Sequence, residues 1–447
     1  MHMPKLVNNM TKKMRQGLWL LTLTTVCLAP VRASAWDINE VYRLALENDP
    51  VYQSELLRHE AVTLDPKIIR SERKGSMSLV GRLGHAMTDD TVMNNWEDHK
   101  DHILDIRVGA PIYDRLLRTR LRQAETSESA SEILLRQSHQ ELILRVAERY
   151  LNVLAAQDRR EVARVDIIAI RRQLDLTTGR LEVGLGTQAD LFDARARLKQ
   201  AEANAIQTDN ALKNSISLLR EMIGQPPKAL IPLLNDAPLL SPDPESLDEW
   251  IDQAEANNLN VQMKSLDLRI AKYEIQKLKD GTFPTMSIGG NRSTSVGGIN
   301  DYTKDSASIY LQVNMPLFTG GLSVRSDQAG ILYNRALEEL DLARINARSE
   351  ATLTYLDITS NISQAEALSE AITAGESALA AKQEGYEAGL TTNIDVLDAQ
   401  RSLSQSRTNY LNSRYNYIIS LLELEQAIGD LDENDIQLVN GWLDQDA

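Results

Sequence analysis

From residue 102 to residue 110 the chain alternates, with Leu104, Ile106, Val108 and Ala110 on one side and Asp105, Arg107 and Gly109 on the other. This is the period of two that a strand presents. Ile309, Leu311, Val313 and Met315 repeat the pattern opposite Ser308, Tyr310, Gln312 and Asn314. Partner strands around 76–87 and 285–293 would complete two β-hairpins, 76–112 and 284–316. Elsewhere the period changes. From Tyr113 to Arg180, and from Gly321 to Glu387, no proline interrupts apolar positions spaced by three and four. Ile143, Ala147, Tyr150 and Leu154, flanked by Val146 and Val153, form one such stripe. Helices of about 65 residues would reach roughly 100 Å, a length for which a compact domain of this size has no use.

The second half of the chain restates the first. A shift that lays Pro111-Ile112-Tyr113 on Pro316-Leu317-Phe318 also lays Gln123-Ala124 on Gln328-Ala329 and Gly184-Leu185 on Gly389-Leu390. Thr187, Asp190, Asp193-Ala194 and Leu198 then fall on Thr392, Asp395, Asp398-Ala399 and Leu403, and Ile223-Gly224 on Ile428-Gly429. Roughly a third of the positions from Gly184 to Gly224 are identical to their partners, which internal duplication explains better than shared helical composition. Upstream, Glu40, Ala45, Asn48 and Met77-Ser78 match Glu249, Ala254, Asn257 and Met286-Ser287, a register that leaves extra residues in the first repeat between Met77 and Pro111, where a loop should lie.

The resulting plan has a first repeat over 36–225, with its hairpin, a long helix 113–181, a tip turn and a helix 188–223. The second repeat covers 246–429, with a long helix 320–388, a tip turn and a helix 392–428. Pro226, Pro227, Pro232, Pro238, Pro242 and Pro244 make 226–245 a linker that no helix can cross. The acidic segment 430–447 reads as a peripheral or mobile tail.

An apolar strand face opposite a polar one suits either a sheet on a soluble core or a barrel with lipid outside and water inside. Two hairpins cannot close a barrel, so the membrane reading requires other chains at the sheet edges.

Composition adds export. Lys5, Lys12, Lys13 and Arg15, the apolar run Leu18 to Ala29 and Ala33-Ser34-Ala35 have the layout of a signal peptide over 1–35, too short in its apolar part to span a bilayer. Cys27, the one cysteine, lies in that run without a lipoprotein-processing context, so the exported chain has no disulfide and no thiolate ligand. With 48 basic and 63 acidic residues the net charge is -15, and loss of the basic leader makes it more negative. Nucleic acid is a poor partner for such a chain.

Two repeats of hairpin and long helices, the proline-rich joint and the paired Gly-Leu-x-Thr-x-x-Asp turns together resemble the TolC family of outer-membrane channel-tunnels. The second repeat carries the resemblance best, in Gly385-Tyr386-Glu387-Ala388-Gly389-Leu390 and Asp395-Val396-Leu397-Asp398-Ala399. The resemblance implies a mainly α fold with a membrane β portion, in which a homotrimer forms a 12-stranded β-barrel in the Gram-negative outer membrane and a 12-helix α-barrel in the periplasm. It implies a conduit for multidrug efflux, type I protein secretion or both. Its partners would be a periplasmic adaptor, an inner-membrane transporter driven by ATP or protons, and outer-membrane lipid. No cofactor is implied. The rival class is a periplasmic coiled-coil structural or adaptor protein, which would carry one helical hairpin between β-rich domains.

By the same resemblance Asp395 and Asp398 would ring the periplasmic aperture and set its selectivity, while Asp190, Tyr386, Asp193 and Thr391 would form its latch. Thr391 departs from the family, where an arginine stands, so closure should rest on hydrogen bonds and helix packing. The turns Gly184, Leu185, Gly186, Thr187 and Gly389, Leu390, Thr392 would dock the adaptor. Spacing alone gives Asp395 a simpler role, since Thr392 and Asp395 have the form of a capping box.

No catalytic or metal constellation is evident. Lys100 opposes a metal among Asp98, His99 and His102; Thr63 stands where a His59-Glu60 zinc helix needs its second histidine; and the serines lack a histidine partner.

Overall fold

The computed structural model describes residues 35–90, 95–297 and 302–444, so the expected export segment lies outside the described residues except for Ala35. Helices α1 (Ile38–Asn48), α2 (Pro50–Val62) and α3 (Asp65–Glu72) lead into β1 (Ser76–Arg82), β2 (His85–Asp90) and β3 (Asn95–Tyr113), followed by α4 (Arg115–Glu182) and α5 (Gln188–Ile223). Next come α6 (Leu247–Asn257), α7 (Leu259–Asp280), β4 (Thr285–Gly297), β5 (Tyr302–Asn314), α8 (Leu322–Glu387), α9 (Asn393–Ala427) and α10 (Glu433–Asn440).

The strands make one antiparallel sheet. β1 and β2 are a single line of chain interrupted at Leu83 and Gly84, and both pair with β3, which pairs with β4, which pairs with β5. Residues directly paired across strands share a face. Met77, Leu79, Ile106, Val108, Ile288, Ile309 and Leu311 therefore lie on one side, and Ser78, Arg107, Asn291, Ser308 and Gln312 on the other. Arg292 and Asp305 interrupt the apolar side. β2 and the start of β3 continue past the last β3–β4 pair, Asp101 with Gly297, so the first hairpin is the taller.

Long helices carry the rest. α4 has 68 residues and α8 has 66, a rise of roughly 100 Å each. α4 begins where the Asp114 side chain accepts from the Leu117 N–H at 2.8 Å, a cap for a donor the helix itself cannot satisfy. α3, α4, α7 and α8 pack side by side in the order of the strands they join, with α5 against α4 and α9 against α8. Among the described residues no helix is long and apolar enough to cross a membrane.

The main core lies midway along the helices. Ile143, Val146, Ala147, Tyr150, Val153 and Leu154 are all buried there. The Tyr150 hydroxyl donates to the carbonyls of Trp36 at 3.1 Å and Ile231 at 2.9 Å, tying the segment before α1 and the proline-rich linker to α4. The linker is extended: the Trp36 N–H donates to Ala229 at 2.7 Å and the Ile231 N–H to Trp36 at 3.1 Å.

The acidic segment after Gly429, expected to be peripheral, instead completes this core. Asp432 caps α10, accepting from the Asn434 N–H at 2.7 Å. Acidic side chains gather in the first turn, where the helix dipole favours them, and Ile436, Val439, Trp442 and Leu443 are buried. The Leu234 N–H donates to Trp442 and the Asp444 N–H to Pro232, each at 2.9 Å, so the linker is held between the segment before α1 and the segment after α10.

Candidate functional site

At the far end of the long helices the two repeats make matching turns. Gly184 and Gly389 adopt φ of 75° and 78°, the left-handed conformation that ends a helix without a Cβ clash. The Leu185 N–H donates to Arg180 at 2.8 Å and the Leu390 N–H to Gly385 at 2.7 Å, and both leucines are exposed. Thr187 caps α5 and Thr392 caps α9 through capping boxes with Asp190 and Asp395. In each, the threonine hydroxyl donates to the carboxylate at 2.6 Å. The Thr392 hydroxyl and N–H together hold the Asp395 carboxyl below its ordinary pKa.

Asp398 lies one turn further along α9. Its carboxylate is largely exposed and sits 3.7 Å from the Arg197 guanidinium on α5, a link between repeats. Asp193, in the corresponding place on α5, is exposed and has no ion pair among the described residues.

Within one chain the residues expected in a latch are brought to one place but not all to one another. Tyr386 is buried with its hydroxyl 3.3 Å from Thr177 Oγ1, while the Asp190 carboxylate is engaged in its own cap. Asp190 joins the network through its backbone, where its carbonyl accepts from Asn393 Nδ2 at 3.1 Å. Asn393 Oδ1 in turn accepts from Gln173 at 2.8 Å and Thr177 at 3.1 Å. Thr391 folds back on its own helix and donates to the Lys382 carbonyl at 2.9 Å.

The cation found at this place is Arg180. Its guanidinium lies 4.7 Å from the centre of the Tyr386 ring and donates to the carbonyls of Tyr386 at 2.8 Å and Glu387 at 3.1 Å. These are end carbonyls of α8, where a helix carries partial negative charge. Stacking and carbonyl bonding act together.

The duplication gives the reason for this asymmetry. Arg180 corresponds to Gly385, and Gly186 to Thr391. In the second repeat a Cβ on Gly385 would lie 2.9 Å from Thr391 Cγ2, so the bare glycine makes room for the threonine. In the first repeat the large residue is on the helix and the bare one in the turn. Only the first tip can therefore reach across.

Sequence reasoning missed Arg180, Gln173, Thr177, Asn393 and Arg197. The one available signal was the exchange of large and small residues at 180/385 and 186/391 in the repeat register; the other contacts join residues about 200 positions apart.

The family described as outer membrane efflux protein matches residues 67–225 and 250–430. The chain is 30% identical over 431 residues to outer membrane protein TolC of Vibrio cholerae, covering 94% of this chain and 97% of that one. It is 25% identical over 425 residues to the alkaline protease secretion protein AprF of Pseudomonas aeruginosa, covering 91% and 87%. In fold it matches the CmeC outer membrane channel of Campylobacter jejuni with a TM-score of 0.75 at 14% identity, over 97% of this chain and 98% of that one. The chain belongs to the outer membrane efflux protein family, as a TolC-like outer-membrane channel of efflux and type I secretion.

Proposed function

We propose that three copies close this layer of strands and helices into one tunnel, whose β portion crosses the outer membrane and whose helical tips form a periplasmic aperture ringed by Asp395 and Asp398. Channels of this family act with adaptors and inner-membrane transporters and are typically homotrimers. The observation that carries the reading is the pair of open edges. Among the described residues β1 and β5 each have one unpaired side, and apolar side chains stand exposed on both flanks of the helical layer, at Leu57, Leu64 and Ile68 and at Ile331, Ile345 and Leu353. Sheet edges and apolar stripes of this kind are satisfied by further copies.

In such a ring Asp395 and Asp398 would contribute six carboxylates around one axis, an arrangement that attracts cations and repels anions. Gln173, Thr177, Arg180, Tyr386, Asp190 and Asn393 would hold the tips together in each protomer. Asp193 and Thr391 would lie beside this latch, and the exposed turns at Leu185 and Leu390 would meet an adaptor. The transporter behind that adaptor would deliver either a small molecule or an unfolded polypeptide, since both pass without chemistry.

Single-channel conductance in a planar bilayer tests the aperture, wild type against Asp395→Ala with Asp398→Ala, with a trivalent cation added on the tip side. The expected result is cation-selective current that the trivalent ion blocks in the wild type and not in the variant. Block that persists in the variant places the constriction elsewhere. The Asp395 cap is exposed and confined to the first turn of α9, so the variant should still assemble.

A further inference from the structure

In a strongly acidic chain, a basic patch lies where the sheet meets the helices. Over α3 and the first turns of α4 come Lys67, Arg70, Arg73, Lys74, Arg118 and Arg122, all exposed. Arg70 is paired with Glu125 at 2.7 Å. Arg73 and Lys74 have no side-chain hydrogen bond or ion pair among the described residues, and Arg118 has only the face of Tyr113, 5.2 Å from its ring centre.

Arg70, Arg73, Lys74 and Arg118 line a cleft between α3 and α4 of 270 Å³ with Pro111, Ile112 and Leu117, and Asp114 is the one acid in that lining. The Asp114 carboxylate is occupied in capping α4. The cleft is thus mainly cationic, with Leu117 buried beneath it and Ile112 exposed at its edge. It is also continuous with the apolar side of the sheet, because Lys74 and Pro111 border it while Lys74 also borders the hollow formed by Met77, Val108, Ala110, Ile288 and Ile309.

From this juxtaposition we infer that the cleft seats the headgroup of an anionic phospholipid of the periplasmic leaflet, its phosphate among Arg73, Lys74 and Arg118 and its chains along the apolar side of β1, β3 and β4. The inference rests on the reading above that this side of the sheet faces lipid. Guanidinium forks suit phosphate oxygens, and an ammonium adds a point charge. Basic residues at the edge of an apolar band favour anionic lipids over zwitterionic ones.

The second repeat is an internal comparison. Its strands and helices join in the same way, yet it carries Thr282, Phe283 and Ser323 where the first has Arg73, Lys74 and Arg118. Lys279 keeps a base in the place of Arg70, but the fold at this depth does not require bases at the other three positions, so Arg73, Lys74 and Arg118 point to a ligand of the first repeat.

The test uses the full-length oligomer in nanodiscs of phosphatidylethanolamine containing phosphatidylglycerol or, separately, phosphatidylcholine, with native mass spectrometry to count the lipid retained. Wild type is compared with Arg73→Thr, Lys74→Gln and Arg118→Ser, two of which are second-repeat residues. Wild type should retain phosphatidylglycerol in preference, and each base removed should weaken retention roughly fivefold, with bilayer conductance unchanged. Equal retention by wild type and variant would overturn the proposal, as would displacement by inorganic phosphate, which would make the cleft a free-phosphate site. If the triple variant does not assemble, the single exposed change Arg73→Thr carries the same comparison. Wild type that shows no lipid preference but conducts refutes the lipid site and leaves the channel standing; wild type that forms no channel refutes the membrane reading instead.

Discussion

Arg180 shows how one side chain can hold two distant parts of a chain in register. It binds a ring face and two end carbonyls of α8 at once, and a shorter or non-planar cation cannot make all three contacts. Arg180→Ala should raise single-channel conductance or open probability severalfold while leaving oligomer stability within about 1 kcal/mol, because the contact is partly exposed. Arg180→Lys should fall between. Conductance traces from the two variants check this, and unchanged traces would remove Arg180 from the latch. The capping of Asp395 was legible in advance, since Thr-x-x-Asp is a local pattern whose partners are three residues apart. Arg180 was not legible in that way, because its partners lie some 200 residues on and only the packing of α4 against α9 and the tip of α8 brings them close.

Among the elements, those set by period were legible and those set by tertiary cover were not. Proline-free apolar spacing predicts α4 and α8, and alternation predicts β3 and β5, because each pattern is read within its own segment. The break at Leu83 and Gly84 that splits β1 from β2 has no such signature. α10 was hidden by its charge: Asp430, Asp432, Glu433 and Asp435 read as a solvated tail, while Ile436, Val439 and Trp442 gain meaning only against α1, α4 and the linker. Glu425 on α9 is half-buried near Asp435, Asp430 and Asp432, and desolvation first, then their charges, push its carboxyl up to about 7. The raised value means that the folded chain holds a proton there between the ordinary carboxylate range and about pH 7 that the unfolded chain has released. Stability from this group is therefore present at low pH and lost as pH rises through that window. Thermal unfolding should show the helical region less stable at pH 8 than at pH 5 by on the order of 1 to 2 kcal/mol from this group after screening. Glu425→Gln should flatten the dependence, and a slope unchanged by that substitution would assign it elsewhere.

For the whole molecule, the prediction concerns the flanks. Ile345 and Leu353 are exposed in one chain on α8. Placing a charge at both, as in Ile345→Glu with Leu353→Glu, should dissociate the assembly in detergent to monomers with the far-ultraviolet helical signal retained. Mass measured by light scattering decides this, and an intact oligomer would show that this flank is not a subunit contact. The exchange of large and small residues between the tips reaches beyond the present chain to its history. If a single repeat once assembled alone, six identical subunits had six identical tips. Six copies of the present first half would set every Arg180 against a leucine, Leu181, in the place of Tyr386, and six of the second would offer Tyr386 no arginine at all. Neither half can now rebuild the contact by itself, so the two have become heterologous partners and the ancestral sixfold ring is no longer accessible by simple fission of the gene.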